Sequence, residues 1–222
     1  MRFRLAAAVG AAAVFAAGAL AAATPVSPAP SSVVSSSLPV FSWSLPANEQ
    51  SRGVYIADSP DRTADGKFLD ENVVDSGVFA NDERRWSPSR PLYAGSYWWL
   101  VWSSDRNTSE AYYSTPTDFR IPVSLNLYPV ETVRSTFLRL LAIRIRWTAN
   151  VHGLRVRARI LRGRQIVWQR TDPQVNAIGF AFSTSFGWYR PRRLKQGIRL
   201  TLQVSLLAQG TTKTRRLVVR AP

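Results

Sequence analysis

Arginine is the residue type in this chain with the clearest chemistry. Its planar guanidinium donates hydrogen bonds in a fork that fits phosphate, sulfate and carboxylate, and it stays charged at physiological pH. Of the 29 Lys and Arg, 19 lie from Val123 onward, with only Glu131 and Asp172 of the 14 acidic residues. Between Thr24 and Pro122 the balance reverses, with 8 cations against 12 acids. The formal net charge of +15 is therefore one basic region joined to a mildly acidic one. Such self-repulsion points to an anionic partner.

Two basic segments alternate strictly. Leu154-Arg155-Val156-Arg157-Ala158-Arg159-Ile160 sets its apolar residues on one side and three arginines on the other. Ile143-Arg144-Ile145-Arg146-Trp147 does the same with two. Thr148–Gly153 between them is short enough for an antiparallel hairpin, which predicts all five arginines on one sheet face. Arg190-Pro191-Arg192-Arg193 and Lys213-Thr214-Arg215-Arg216 reinforce them. The predicted polyanion-binding residues are Arg144, Arg146, Arg155, Arg157, Arg159, Arg192, Arg193, Lys213 and Arg215. Two other readings of the same pattern stay open. One is a solvated basic face that blunts edge pairing, and the other is docking of this face on the acidic half of the chain itself.

Other chemistry is thinly represented. His152 is the single histidine, in a predicted turn with no acid near it in sequence, and no Gly-x-Ser-x-Gly elbow occurs. The chain has no cysteine, which excludes disulfides, c-type haem, a bacterial lipobox and thiolate metal sites. Asp61-Arg62-Thr63-Ala64-Asp65-Gly66 fits the start of a calcium loop, but Asn72 stands where the bidentate Glu belongs and the flanks are not helical, so an acidic turn between strands is the better account. No phosphate-loop or Rossmann glycine pattern is present. No catalytic, cofactor-binding or metal-ligating set is predicted, and the chain reads as non-enzymatic. Trp98 and Trp102, with Tyr112 or Tyr113, offer an aromatic platform for a sugar, or else a core or interface cluster.

These residues need elements to hold them. Arg2 and Arg4, the uncharged run Leu5–Leu20 and Ala21-Ala22-Ala23 read as a secretory signal peptide over 1–23, cleaved before Thr24. If uncleaved, the run would serve as a tether. Thr24–Leu38 is rich in Pro and Ser and uncharged, which predicts a disordered spacer over 24–38. The remainder carries short β-patterned runs at intervals of about 8–12 residues, the mark of sandwiches or barrels. Tyr97–Trp102 is the strongest, with Tyr97, Trp99 and Val101 on one side and Trp98, Leu100 and Trp102 on the other. The ratio of 26 Arg to 3 Lys, with abundant Ala, matches a GC-rich bacterial gene.

Pro39-Val40-Phe41-Ser42-Trp43, Tyr55-Ile56-Ala57-Asp58, Leu92-Tyr93-Ala94-Gly95-Ser96-Tyr97-Trp98-Trp99 and Ser114–Ile121 together resemble a bacterial fibronectin type III-like module over 39–122. The resemblance implies an E–F corner running into strand F, and a role in adhesion or binding. Leu194-Lys195-Gln196-Gly197 and the strand after it echo that corner 102 residues later, which makes 123–222 an immunoglobulin-like sandwich. The expected fold is all-β, two tandem immunoglobulin/fibronectin type III-like β-sandwiches after a signal peptide and spacer. The expected protein is a secreted or surface-tethered binding and adhesion protein of the cell exterior, without a cofactor. Its basic second domain would engage an anionic polymer, a membrane surface or a protein partner. The alternatives are a carbohydrate-binding module using first-domain aromatics, or an accessory subunit of an extracellular enzyme or membrane assembly.

Overall fold

Strict two-residue alternation demands a buried surface on one side only, and two sheets packed face to face supply it. The computed structural model describes residues 22–69, 74–80, 82–178 and 181–222, with the backbone alone at 175–177. Met1–Ala21 of the expected signal peptide and Asn72 of the acidic loop lie outside them. Among the described residues every regular element is a strand.

The first sandwich contains β1 (Thr24–Ser27), β2 (Ser32–Val33), β3 (Phe41–Ser44), β4 (Glu49–Ala57), β5 (Val74–Asp75), β6 (Arg85–Trp86), β7 (Gly95–Asp105), β8 (Ala111–Tyr113) and β9 (Thr117–Ile121). One sheet runs β1-β3-β6. The other runs β2-β9-β7-β4-β5, with β8 also on β7. Phe41, Trp99 and Phe119 meet edge to face in the core between them, with ring centroids 5.0 and 5.5 Å from Phe41. Tyr97 and Val101 join this core from β7, while Trp98 and Leu100 belong to a smaller cluster on the opposite face, as the alternation predicts. The Tyr97 hydroxyl donates to the Tyr93 carbonyl at 3.0 Å, the hydrogen bond of a tyrosine corner. Burial, and then the charge of Asp58, pushes this phenol's pKa above its usual value.

The spacer expectation is overturned. β1 pairs antiparallel with β3, and β2 pairs parallel with β9. The Ser31 amide and hydroxyl both reach the Asp118 carboxylate, at 3.1 and 3.0 Å, and buried Trp99 Nε1 donates to Pro28 O at 3.2 Å. Pro and Ser cannot build a core, but at a sheet edge only half the backbone groups need partners, and prolines are tolerated there. The segment therefore closes both sheets of a core that other residues supply. Ala23, at the expected cleavage site, is already packed into that core.

The second sandwich contains β10 (Leu125–Leu127), β11 (Glu131–Ser135), β12 (Leu140–Ala149), β13 (Val151–Arg162), β14 (Gln165–Ala177), β15 (Phe182–Tyr189), β16 (Arg199–Ala208) and β17 (Thr211–Arg220). One sheet places β12 beside β10, β11 and β15, and the other runs β14-β13-β16-β17. The two strands predicted as a hairpin do not pair. Ile143, Ile145 and Trp147 of β12 and Leu154, Val156, Ala158 and Ile160 of β13 enter one core from opposite sides. Asn150 alone separates the strands, so the chain arches from one sheet to the other. Alternation is identical in a hairpin and in such an arch, and only the pairing differs.

Asn150 also fixes the junction with the first sandwich. Its carbonyl accepts the Ala94 amide at 2.6 Å. Its side-chain oxygen accepts the Ser124 amide at 2.8 Å, and its side-chain nitrogen donates to Pro122 O at 3.0 Å. Next to it the His152 ring lies against Tyr93, with centroids 3.5 Å apart. His152 sits within β13 and not in a hairpin turn.

Candidate anion-binding face

Because β12 and β13 lie in different sheets, their arginines point to opposite sides of the sandwich. Arg144 and Arg146 stand on the outer face of the β12 sheet. There Glu131 lies opposite Arg144 in register and accepts a hydrogen bond from Arg146 Nη2 at 3.0 Å. That face is partly neutralised. Arg192 and Arg193 are exposed in the β15–β16 loop. Lys213 and Arg215 oppose Leu206 and Val204 in register, so they belong to the core-side row of edge strand β17, where both are exposed.

Arg155, Arg157 and Arg159 remain together on the open face of β13, and strand register adds residues to them. Gln169, Arg159, Gln203 and Arg216 form one cross-strand row. Thr171, Arg157, Ser205 and Thr214 form the next, and at the end remote from the junction Arg199 opposes Arg220. Six arginines thus share one face with amides and hydroxyls. The sheet's one acid, Asp172, opposes inward-facing Val156 and accepts from Gln174 at 2.8 Å. Among the described residues this face carries no carboxylate.

The face is also partly organised. Arg159 Nε donates to Gln169 Oε1 at 2.6 Å, and the Ser205 and Thr214 hydroxyls pair at 2.9 Å. Arg157 is half-buried among these neighbours, and its Nε is buried without a hydrogen-bond partner. Desolvation, followed by the charge of Arg159, pulls the Arg157 pKa below its usual value. A guanidinium destabilised in this way gains most from an anion, which restores a partner and offsets the neighbouring charge. Along β13 the three arginines recur about every 7 Å, the two-residue strand repeat. Where β13 begins, Arg155 borders a depression of about 360 Å³ whose other walls are Gly153 and the β16–β17 turn.

Arg216, Arg199 and Arg220 were absent from the predicted set. The signal that places them is parity against Leu217, Val219 and Leu200, which becomes readable once β16 and β17 are paired. The ion pairs Lys67–Asp65, Arg106–Asp82 and Arg146–Glu131 each stay within one sandwich.

Other candidates are occupied by their own surroundings. Tyr55, Trp102 and Tyr113 stack side by side at 6.3 and 6.5 Å, but Gly66 packs against Tyr113, and Phe68 is buried with Leu100 and Trp98 beside them. Tyr112 turns away to Glu110 at 2.9 Å. In the acidic loop the Thr63 hydroxyl donates to Asp65, whose carboxyl is held below its usual pKa chiefly by that bond. Register brings Glu49 opposite Asp105, a juxtaposition invisible in sequence. Glu49 accepts from Ser103 at 2.6 Å, and Asp105 accepts from Asn48, Asn107 and Thr108 at 2.7–2.9 Å.

No protein-family model and no curated protein matches the chain. Among solved structures it is similar to the chicken interferon gamma receptor alpha chain at 10% identity. That match covers 90% of this chain and 98% of that one, with a TM-score of 0.36. It is similar to the FN1–FN3 domains of chicken CNTN1 at 13% identity, covering 90% of this chain and 69% of that one, with a TM-score of 0.30. An alpha-L-rhamnosidase from Streptomyces avermitilis matches at 13% identity, covering 88% of this chain and 24% of that one, with a TM-score of 0.33.

Proposed function

We propose that this chain is a non-enzymatic binding protein of the cell exterior whose second sandwich holds a linear polyanion on the open face of β14-β13-β16-β17. The observation that carries the reading is the grouping of six arginines on a face that has no carboxylate among the described residues, with Arg157 Nε buried and unpartnered. An extended chain with regularly spaced phosphate, sulfate or carboxylate groups can follow β13 and meet Arg155, Arg157 and Arg159 in turn. Arg216 and the Gln and Thr side chains flank it. The acidic first sandwich would then act as a spacer and orienting unit, held at the Asn150 junction.

The test is retention of the full chain on immobilised heparin and its binding to a short DNA duplex across a salt series. Strong binding at low salt that collapses as salt rises is expected. Absence of binding at low salt would mean that the face is only solvated, or is covered by the chain's own acids.

A further inference from the structure

The end of the second sandwich remote from the junction carries a second feature that the polyanion face does not use. Hairpin β11–β12 closes there in a turn over Thr136–Arg139. The Arg139 amide donates to Thr136 O at 3.2 Å, and the Leu138 amide donates to Ser135 Oγ at 3.3 Å. Arg139 adopts φ +55°, a left-handed conformation rare outside glycine. The outcome of this ordered turn is that Phe137 is 92% exposed and Leu138 56% exposed. Tyr189, opposite Leu140 in register, adds a third exposed large side chain at the same end, 68% open.

Around this apolar tip the groups are cationic. The Arg190 amide donates to Arg139 O at 2.8 Å, and Arg139 Nη2 returns a bond to Arg190 O at 2.9 Å. These bonds bind the β15–β16 loop to the hairpin. Arg190 Nε further reaches Pro222 O, and the Gly197 amide donates to Ala221 O at 2.9 Å. Tip, loop and final strand therefore form one cap. Arg134, Arg192, Arg193 and Lys195 are exposed on it. Glu131 begins β11 opposite Arg144 in the middle of β12, and Asp172 lies in the middle of β14, both away from this end.

We infer that this cap is a docking end for an anionic lipid bilayer, with Phe137 and Leu138 entering the interface and the surrounding cations meeting the headgroups. The tip is convex. A protein partner would need a matching hollow, whereas a bilayer parts around any protruding apolar group and places Lys and Arg in its headgroup layer. Charge complementarity favours an anionic leaflet, since each cation near such a surface strengthens binding by about fivefold. This site is distinct from the sheet face, and either assignment can fail without the other.

The test uses the chain from Ala22 to Pro222, which keeps buried Ala23 and omits the apolar leader, because that leader would insert by itself. Sedimentation with vesicles of equal parts phosphatidylglycerol and phosphatidylcholine should show binding that pure phosphatidylcholine does not support. Phe137→Ser with Leu138→Ser should weaken it by about tenfold or more, with a thermal midpoint little changed because Phe137 is almost wholly in water and Leu138 more than half so. The chain has no cysteine, so Phe137→Cys accepts a single environment-sensitive dye. That dye should shift to the blue on the anionic vesicles, and a dye on Thr212→Cys, at the junction end of the sheet face, should not. The inference is overturned if the serine variant binds as the parent does, or if the dye at position 137 stays in water while the protein sediments. Binding carried by Arg155, Arg157 and Arg159 alone would give that second outcome and leave the polyanion face standing.

Discussion

Replacing Arg155, Arg157 and Arg159 with glutamine tests whether binding belongs to one sheet face or to net charge. For a duplex, log K falls against log salt with a slope of about −0.9 per phosphate neutralised. The open face offers these three residues, Arg216, and at one end Arg199 and Arg220. Engaging four to six of them predicts a slope of about −4 to −5 for the parent. The triple variant should flatten that slope by about 2.7, and Arg216→Gln alone by about 0.9. Arg144→Gln with Arg146→Gln is the matched control. It removes two charges from the opposite sheet, one of them already bonded to Glu131, and should leave the slope nearly unchanged. Fluorescence anisotropy on a labelled duplex across a salt series reads all four proteins. The triple variant should stay folded, because its side chains point away from Leu154, Val156, Ala158 and Ile160. Its thermal midpoint should hold or rise as the Arg157–Arg159 repulsion disappears. Equal flattening per charge removed, with the two-residue control falling by about 1.8 against about 2.7 for the triple variant, would refute the face and leave only diffuse charge.

Other expectations follow from the junction, the corner and the acids. Asn150→Ala removes the bonds to Ser124 and Pro122 and should cost about 1–2 kcal/mol, read as a thermal midpoint lower by several degrees. An unchanged midpoint would show that the junction is not held there. Tyr97→Phe loses the corner bond and should cost about 1 kcal/mol in a urea titration, without a change in m-value. Backbone amides of Thr108 and Asn107, then the Asn48 side chain, hold the Asp105 carboxyl below its usual pKa. A depressed folded value means stability that is complete above the unfolded pKa and is lost as pH falls through the folded one. Thermal midpoints should therefore drop below about pH 4, and Asp105→Asn should reduce that acid sensitivity. Calcium should leave the midpoint unchanged, since Thr63 and Lys67 already engage Asp65.

The β-patterning of the chain was legible because alternation records which side chains are buried. It correctly divided β7 into Tyr97, Trp99 and Val101 against Trp98 and Leu100. It also put Leu154, Val156, Ala158 and Ile160 in a core. What alternation does not record is the neighbour of each strand. Arg144 and Arg157 look equivalent in sequence, yet they stand on opposite sides of a sandwich, because one residue, Asn150, turns the chain across the core and not beside itself. The same blindness hid the place of Arg216, which reaches the β13 arginines through two registers while its neighbour Arg215 does not, and the pairing of Glu49 with Asp105. Composition misled at Thr24–Leu38 for a different reason. A Pro- and Ser-rich composition says only that a segment cannot bury its own core, and an edge strand needs only another segment's backbone and a few hydroxyls such as Ser31.

The charge distribution gains meaning from topology. β1 places Thr24 beside Ser44, while Ile121 and Gly95 pair next to the junction. The first sandwich therefore carries Thr24 toward the end away from Asn150. In the second sandwich the tip at Phe137, the exposed Arg192 and Arg193, and the Arg199–Arg220 pair all lie at the opposite extreme. The chain thus grades from an acidic end to a cationic one, and a field of that form orients a molecule as it nears an anionic surface. It would arrive cap first, with the arginine face rising along one side from Arg199 and Arg220 toward Arg155. Reversing the gradient locally is the sharp test of that order of events. Arg192→Glu with Arg193→Glu leaves Phe137 and the sheet face in place but puts two like charges where first contact is made. Association with anionic vesicles should slow by at least tenfold at low salt and recover as salt screens the repulsion over about 8–10 Å, with dissociation much less affected. A variant that loses binding through faster dissociation alone would show that the cap grips the surface but does not steer toward it.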